Sequence, residues 1–288
     1  MDYVFEQIEE RVKDSLIPLL MEMLRGMFDS VNTEVGNAAT CAATDPSAFN
    51  PTVLNVIKSV SDNAIMPIAG MVLTFVACYE LIQMIMNYNN LANFESWFIF
   101  RWIIKTFVAV ELITHVWDFA LAVFDLTGVV ISEGGIVISG STAVDASALA
   151  EMESTIEAMS MWGVMLMFIQ VLFINIFTFI LAKIIFVIVQ VRMIEIYLHI
   201  SVAPIPFSTL GNKEQGVMGQ SYIRGLFALG FQGFLILICI GIYAAMIRTL
   251  TFSEDIIGSI WGVLGYTILL AYSLFKTETI AKAALNAH

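Results

Sequence analysis

The sequence predicts an all-α fold: a polytopic integral membrane protein with about five transmembrane helices and an N-terminal amphipathic helix. Two observations carry this expectation. Apolar residues make up 59% of the chain and charged residues 13%, with a mean hydropathy of +0.85, far from the composition of a water-soluble domain. Several runs also exceed the ~18 apolar residues that mark a spanning helix.

Taken in order, residues 1–35 form the amphipathic helix, expected on the extracytoplasmic side. Phe5, Ile8, Val12, Leu16, Leu19, Met23, Met27 and Val31 recur at three- and four-residue steps, with Glu6, Glu9, Glu10, Lys13, Asp14 and Arg25 opposite. So many charges preclude a spanning helix and suit a membrane surface or a partner. Residues 33–52 are small and polar, with two prolines, and 36–60 reads as a loop. The membrane domain, 61–280, holds spans at about 64–87, 97–130, 159–191, 222–247 and 256–276. The second and third exceed the ~20 residues that a bilayer needs, so they tilt or project. An elbow at 200–220 separates the third and fourth spans, and 281–288 is a tail.

Lys and Arg near the span ends set the orientation. Arg101 and Lys105 follow the first connection, Arg192, Lys213 and Arg224 flank or occupy the elbow, and Lys276 and Lys282 approach the tail. No Lys or Arg lies between Lys105 and Lys183, which leaves the 131–158 loop purely acidic. The expected arrangement is multi-pass in the cytoplasmic membrane, with the N-terminus outside and the elbow and C-terminus cytoplasmic.

The net charge of −12 argues against direct duplex-DNA binding, which relies on a basic surface. Cys41, Cys78 and Cys239 have no ligand spacing, and Cys78 and Cys239 in apolar runs read as buried small hydrophobes. His115 and His199 supply no third metal ligand. No nucleotide loop or nucleophile motif is visible, so no enzyme activity, metal or cofactor is expected.

The second span carries Arg101, Lys105, Glu111, His115, Asp118 and Asp125. Glu111, Asp118 and Asp125 are separated by sevens, so on a helix with an effective repeat of ~3.5 residues the six share one sector. An ionisable group at membrane depth costs a few kcal/mol or more unless it is paired or wetted. This polar stripe therefore neutralises itself, with Lys105 against Glu80 or Glu111, or lines an aqueous cavity or a subunit contact. In the third span Gln170, Asn175, Lys183 and Gln190 suit interhelical hydrogen bonds or a pore lining.

In the elbow, Pro204 and Pro206 are expected to hold Ala203 and Ile205 extended and to remove two amide donors. Gly211 belongs to a turn and Lys213 to a short polar cluster. Gly225, Gly230 and Gly233 then permit close approach of another backbone to the fourth span.

The elbow "APIPFSTLGNKEQG" followed by "GQSYIRGLFALGFQGFLILICIGIY" resembles the TrbL-like family of conjugal transfer proteins, inner-membrane components of type IV secretion systems. The local pattern covers about 197–245 and the architecture about 60–280. Larger members carry a sizeable domain where this chain has only the 131–158 loop. The resemblance implies a ring-like homo-oligomer in the lipid bilayer, between cytoplasmic ATPases and pilus or extracytoplasmic subunits. It would be a channel or scaffold for single-stranded DNA with bound protein. Under it, the stripe would line the conduit or a subunit contact, the elbow would face cytoplasmic partners, and the N-terminal helix would support assembly.

Other readings compete. A secondary transporter would place midplane charges on broken helices, but usually shows internal repeats, and none is evident. A non-conducting assembly scaffold would have the same sequence features as a channel. An insertion factor would want a broader cationic groove than Arg101 and Lys105 provide.

Overall fold

The computed structural model describes residues 2–86, 96–138, 146–250 and 256–287. They are helical, with no strand among them. The helices are α1 (Asp2–Ala43), α2 (Pro46–Phe49), α3 (Pro51–Val60), α4 (Met66–Met86), α5 (Ser96–Thr114), α6 (Val116–Ile138) and α7 (Ala146–Ala158). They continue with α8 (Met161–Val202), α9 (Pro204–Ser208), α10 (Gly216–Arg248) and α11 (Ile256–Ala284). A π turn, Ser61–Ile65, joins α3 to α4.

Four stretches are long and apolar enough to cross a membrane: Pro51–Met86, Met161–Ser208, Gly216–Arg248 and Ile256–Ala284. A fifth arises if Trp97–Thr114 and Val116–Val129, bent by 69°, count as one span. The chain is thus an all-α, polytopic membrane protein. Three expected connections fall in part outside the described residues: the one after the first span at 87–95, residues 139–145 of the acidic loop, and 251–255 of the last turn.

The stretch read as a loop at 36–60 is helical instead. Asp45 and Asn50 cap α2 and α3, accepting from Ser47 N–H and Val53 N–H at 2.5 and 3.1 Å. Pro46 and Pro51 follow at the first helical position, where a missing amide costs nothing.

The described chain divides into two compact units. One comprises Met1–Ala43, Ile131–Gln190 and Leu235–Thr277. Here α1 extends past the expected boundary at 35, and its buried line is Ile17, Leu20, Leu24, Met27, Val31, Val35 and Ala38. Leu19, expected on the apolar face, is 46% exposed, so the face is rotated from the one the spacing suggested. Asn175 of α8 donates to the Met23 carbonyl at 2.8 Å, and Lys183 of α8 pairs with Glu34. Helix α7 lies on α1 through Lys13 Nζ to the Glu157 carbonyl (3.3 Å) and Arg25 to Glu153 (3.8 Å). The polar residues of the third span that form these bonds join helices, as interhelical glue does.

The other unit comprises Thr44–Val130, Val191–Phe234 and Glu278–His288. Tyr197 donates to the Pro46 carbonyl at 2.7 Å and accepts from Asn50 N–H at 3.2 Å, which seats α2 on α8. Ser61 of the π turn donates to the Ser201 carbonyl at 2.7 Å. Arg192 is buried, and its Nη2 donates to the Leu229 carbonyl of α10 at 3.3 Å. Short α9 packs against both α4 and α5. Of the cysteines, Cys41 is buried and Cys239 half-buried, whereas Cys78 is exposed: it occupies the outer face of a span, where lipid replaces core.

Candidate functional site

The elbow, α4, α5 and the part of α6 up to Val130 belong to the second unit and hold most of the polar residues singled out above. The elbow is helical where it was expected to be extended. Ala203 has φ −52 and ψ −36, and Pro204 starts α9. Proline at the first turn removes only donors that lack an intrahelical partner, so both prolines fit within a helix start. Pro204, Pro206 and Phe207 are buried. Phe207 packs edge-on against Phe119 of α6 and Tyr222 of α10, with ring centroids 5.4 and 5.9 Å apart.

The turn after α9 is built around Asn212, which is buried. Its Oδ1 accepts from Glu214 N–H (2.8 Å) and Gln215 N–H (3.1 Å), satisfying donors at the start of α10. Its Nδ2 donates to Glu80 Oε2 of α4 at 2.6 Å. The other Glu80 oxygen accepts from Lys105 of α5, also at 2.6 Å. Trp102 Nε1 donates to the Ala77 carbonyl at 2.9 Å and fixes α5 beside α4. A Cβ at Gly211 would lie 3.6 Å from Ala109 Cβ of α5, an ordinary contact. Asn212 was missed as a site residue, and Glu80 was named only as a partner for Lys105; an Asn in a Gly-Asn turn opening a long helix is the signal that was there to read.

This arrangement brings Arg101, Lys105 and Lys213 to one cleft of about 730 Å³, shared with Tyr79, Glu80 and Glu214. Tyr79 donates to Glu214 Oε2 at 3.4 Å. Two residues of the stripe thereby meet one residue of the elbow. The other four lie elsewhere: Glu111 is further along α5, His115 stands at the bend, and Asp118 and Asp125 follow it on α6.

The bend falls at His115. Its N–H donates to the Glu111 carbonyl at 3.0 Å, and its Nδ1 lies 3.1 Å from the same oxygen. Thr114 Oγ1 donates back to the Val110 carbonyl at 2.8 Å. Side chains competing for carbonyls of the helical ladder are a recognised cause of kinks. His115 also lies 3.4 Å from Glu111 Oε2, and both side chains are over half exposed. Asp118 falls in the first turn of α6, where the helix dipole favours a negative charge. All six residues of the stripe are exposed on the isolated chain.

Asp125 meets Asp45, the cap of α2, in a hydrogen-bonded carboxyl pair. Burial alone would raise the Asp45 carboxyl; hydrogen bonds from Asp125 and Ser47 outweigh it and hold the group below the usual carboxylate value.

The three α10 glycines expected to pack against another backbone differ. A Cβ on Gly230 would sit 2.7 Å from Thr127 Oγ1 and 2.8 Å from its Cγ2, so α6 and α10 approach closely there. Gly233 is buried. Gly225 faces open space in a second cleft, of about 680 Å³, lined by His199, Tyr222, Glu278 and Lys282. Gly219, near the start of α10, is the tightest: a Cβ would meet Leu210 Cδ2 at 2.5 Å and the Pro206 carbonyl at 2.7 Å.

No curated protein and no solved structure matches the chain. A family model does, the one described as TrbL/VirB6 plasmid conjugal transfer like protein, over residues 31–204. That match takes in α2 to α8 and ends at Pro204, the first residue of α9. With more than half its length covered, the chain belongs to the TrbL/VirB6 plasmid conjugal transfer-like family.

Proposed function

We propose that the chain is an oligomeric membrane component of a conjugative type IV secretion machine, forming or scaffolding the conduit for single-stranded DNA and protein. Family membership supports a place in conjugal transfer. The observation that favours a conduit or subunit interface is the exposure of Glu111, His115, Asp118 and Asp125 along α5 and α6. Facing acyl chains, such groups would each cost a few kcal/mol. Neighbouring copies or water in a shared lumen remove that cost, and a ring supplies both. In this reading the elbow faces cytoplasmic ATPases, and the N-terminal helix faces pilus or extracytoplasmic subunits.

The test is charge reversal at Glu111 and Asp118, scored by plasmid transfer between cells and by membrane insertion. Transfer is expected to be lost with insertion intact; undiminished transfer overturns the role of the stripe. Purification in mild detergent is expected to give a closed oligomer, and a stable monomer that binds a small solute would favour a transporter instead. For orientation, single cysteines replacing Ser154 and Glu214 in a cysteine-free background are expected to label from opposite sides, with Glu214 cytoplasmic.

A further inference from the structure

We infer that Arg101, Lys105 and Lys213 form a binding site for the phosphate-bearing headgroup of an anionic phospholipid, with an acyl chain in the adjoining apolar groove. Three cations share the 730 Å³ cleft with two carboxylates. Both carboxylates already have partners: Glu80 accepts from Lys105 and Asn212, and Glu214 from Tyr79. Arg101 and Lys213, both exposed, make no ion pair among the described residues. The cleft therefore has one uncompensated positive charge and two cations without a counter-ion.

A second cavity identifies the anion as a lipid. A groove of about 400 Å³ is lined mainly by apolar side chains, Ile104, Val108, Leu112 and Leu210 among them, with Lys105, Lys213, Asn212 and Gln220 as its polar members. The same two lysines thus stand on the boundary between a polar cleft and an apolar trough. A free phosphate would leave the trough unfilled. A diacyl lipid fills both, and its concentration in the bilayer is high without any binding from water.

The depth is appropriate. The cleft lies where α4 ends at Met86 and α5 begins at Ser96, that is, at the end of a span. Trp97 and Phe100, both more than half exposed and 5.6 Å apart, mark the same level, as aromatic residues do at a membrane–water boundary. Basic pockets between spanning helices at this level suit acidic headgroups, each surface cation adding appreciably to the attraction. The inference requires only that the chain sits in a bilayer, so it stands or falls apart from the conduit reading.

The experiment uses the full chain, purified and delipidated in mild detergent, with binding followed by thermal unfolding and native mass spectrometry. Phosphatidylglycerol is expected to bind and stabilise roughly tenfold or more better than phosphatidylcholine of the same chains. The double variant Arg101→Gln/Lys213→Gln, checked for helicity by circular dichroism, should lose that preference. Val108→Asn should weaken phosphatidylglycerol. Protection by inorganic phosphate equal to that by the lipid, or by an acidic peptide in preference to it, would overturn the assignment. So would a double variant that still prefers phosphatidylglycerol.

Discussion

Asn212 holds Glu80 with one end of its amide and the start of α10 with the other. One buried side chain thereby fixes the elbow to α4 and satisfies two helix-start amides. Asn212→Ala removes these three bonds and a longer one to Gln83 Oε1 (3.4 Å), and is expected to cost about 2–3 kcal/mol, from a lost cap and an unpaired carboxylate oxygen. Asn212→Asp preserves the cap but sets a second carboxylate against Glu80, so it should destabilise as well. Adding Glu80→Gln should recover much of the loss in the aspartate variant and little in the alanine one. Thermal unfolding of the four variants in detergent checks this coupling.

Gly230 and Thr127 are equally specific. With Thr127 Oγ1 only 2.7 Å from where a Cβ would stand, Gly230→Ala forces α6 and α10 apart. The expected cost is about 1–3 kcal/mol. Thr127→Ala removes the two nearest atoms and leaves its Cβ 3.2 Å away, so the double variant should be more stable than Gly230→Ala alone. Gly225→Ala, facing open space, should be close to neutral. A glycine stripe acting uniformly in packing would give equal losses at both positions.

These two relationships mark what the sequence could and could not reveal. Apolar run lengths revealed a polytopic helical protein, because a bilayer demands such runs whatever the tertiary contacts are. The pairing of Lys105 with Glu80 was one of the alternatives the charges allowed, and it is the one the helices adopt. The kink at His115 was not legible: the seven-residue spacing of Glu111, Asp118 and Asp125 continues through it, and no proline or glycine marks it. Periodicity records which residues share a face of a straight helix, not whether the helix is straight. The helices at α2 and α3 were legible in principle, since Asp45-Pro46 and Asn50-Pro51 each set a capping residue before a first-turn proline. Composition, small and polar, outweighed that signal. The elbow prolines misled in the same way, as chain breaks in place of a helix start. The line of α1 that ends up buried depends on where α7 and α8 lie, which no local pattern contains.

Lys183 and Glu34 give a third prediction. Glu34 is largely buried, its side chain 8% exposed, while Lys183 is about half exposed. Asn37 also donates to Glu34 at 3.5 Å. Removing the lysine strands a buried carboxylate, whereas removing the acid leaves a cation that can reach water or headgroups. Lys183→Met is therefore expected to destabilise by about 1–3 kcal/mol, more than Glu34→Gln does. The pair Glu34→Gln/Lys183→Met should be closer to wild type than Lys183→Met. Equal losses in the two single variants would indicate a solvated pair of little consequence.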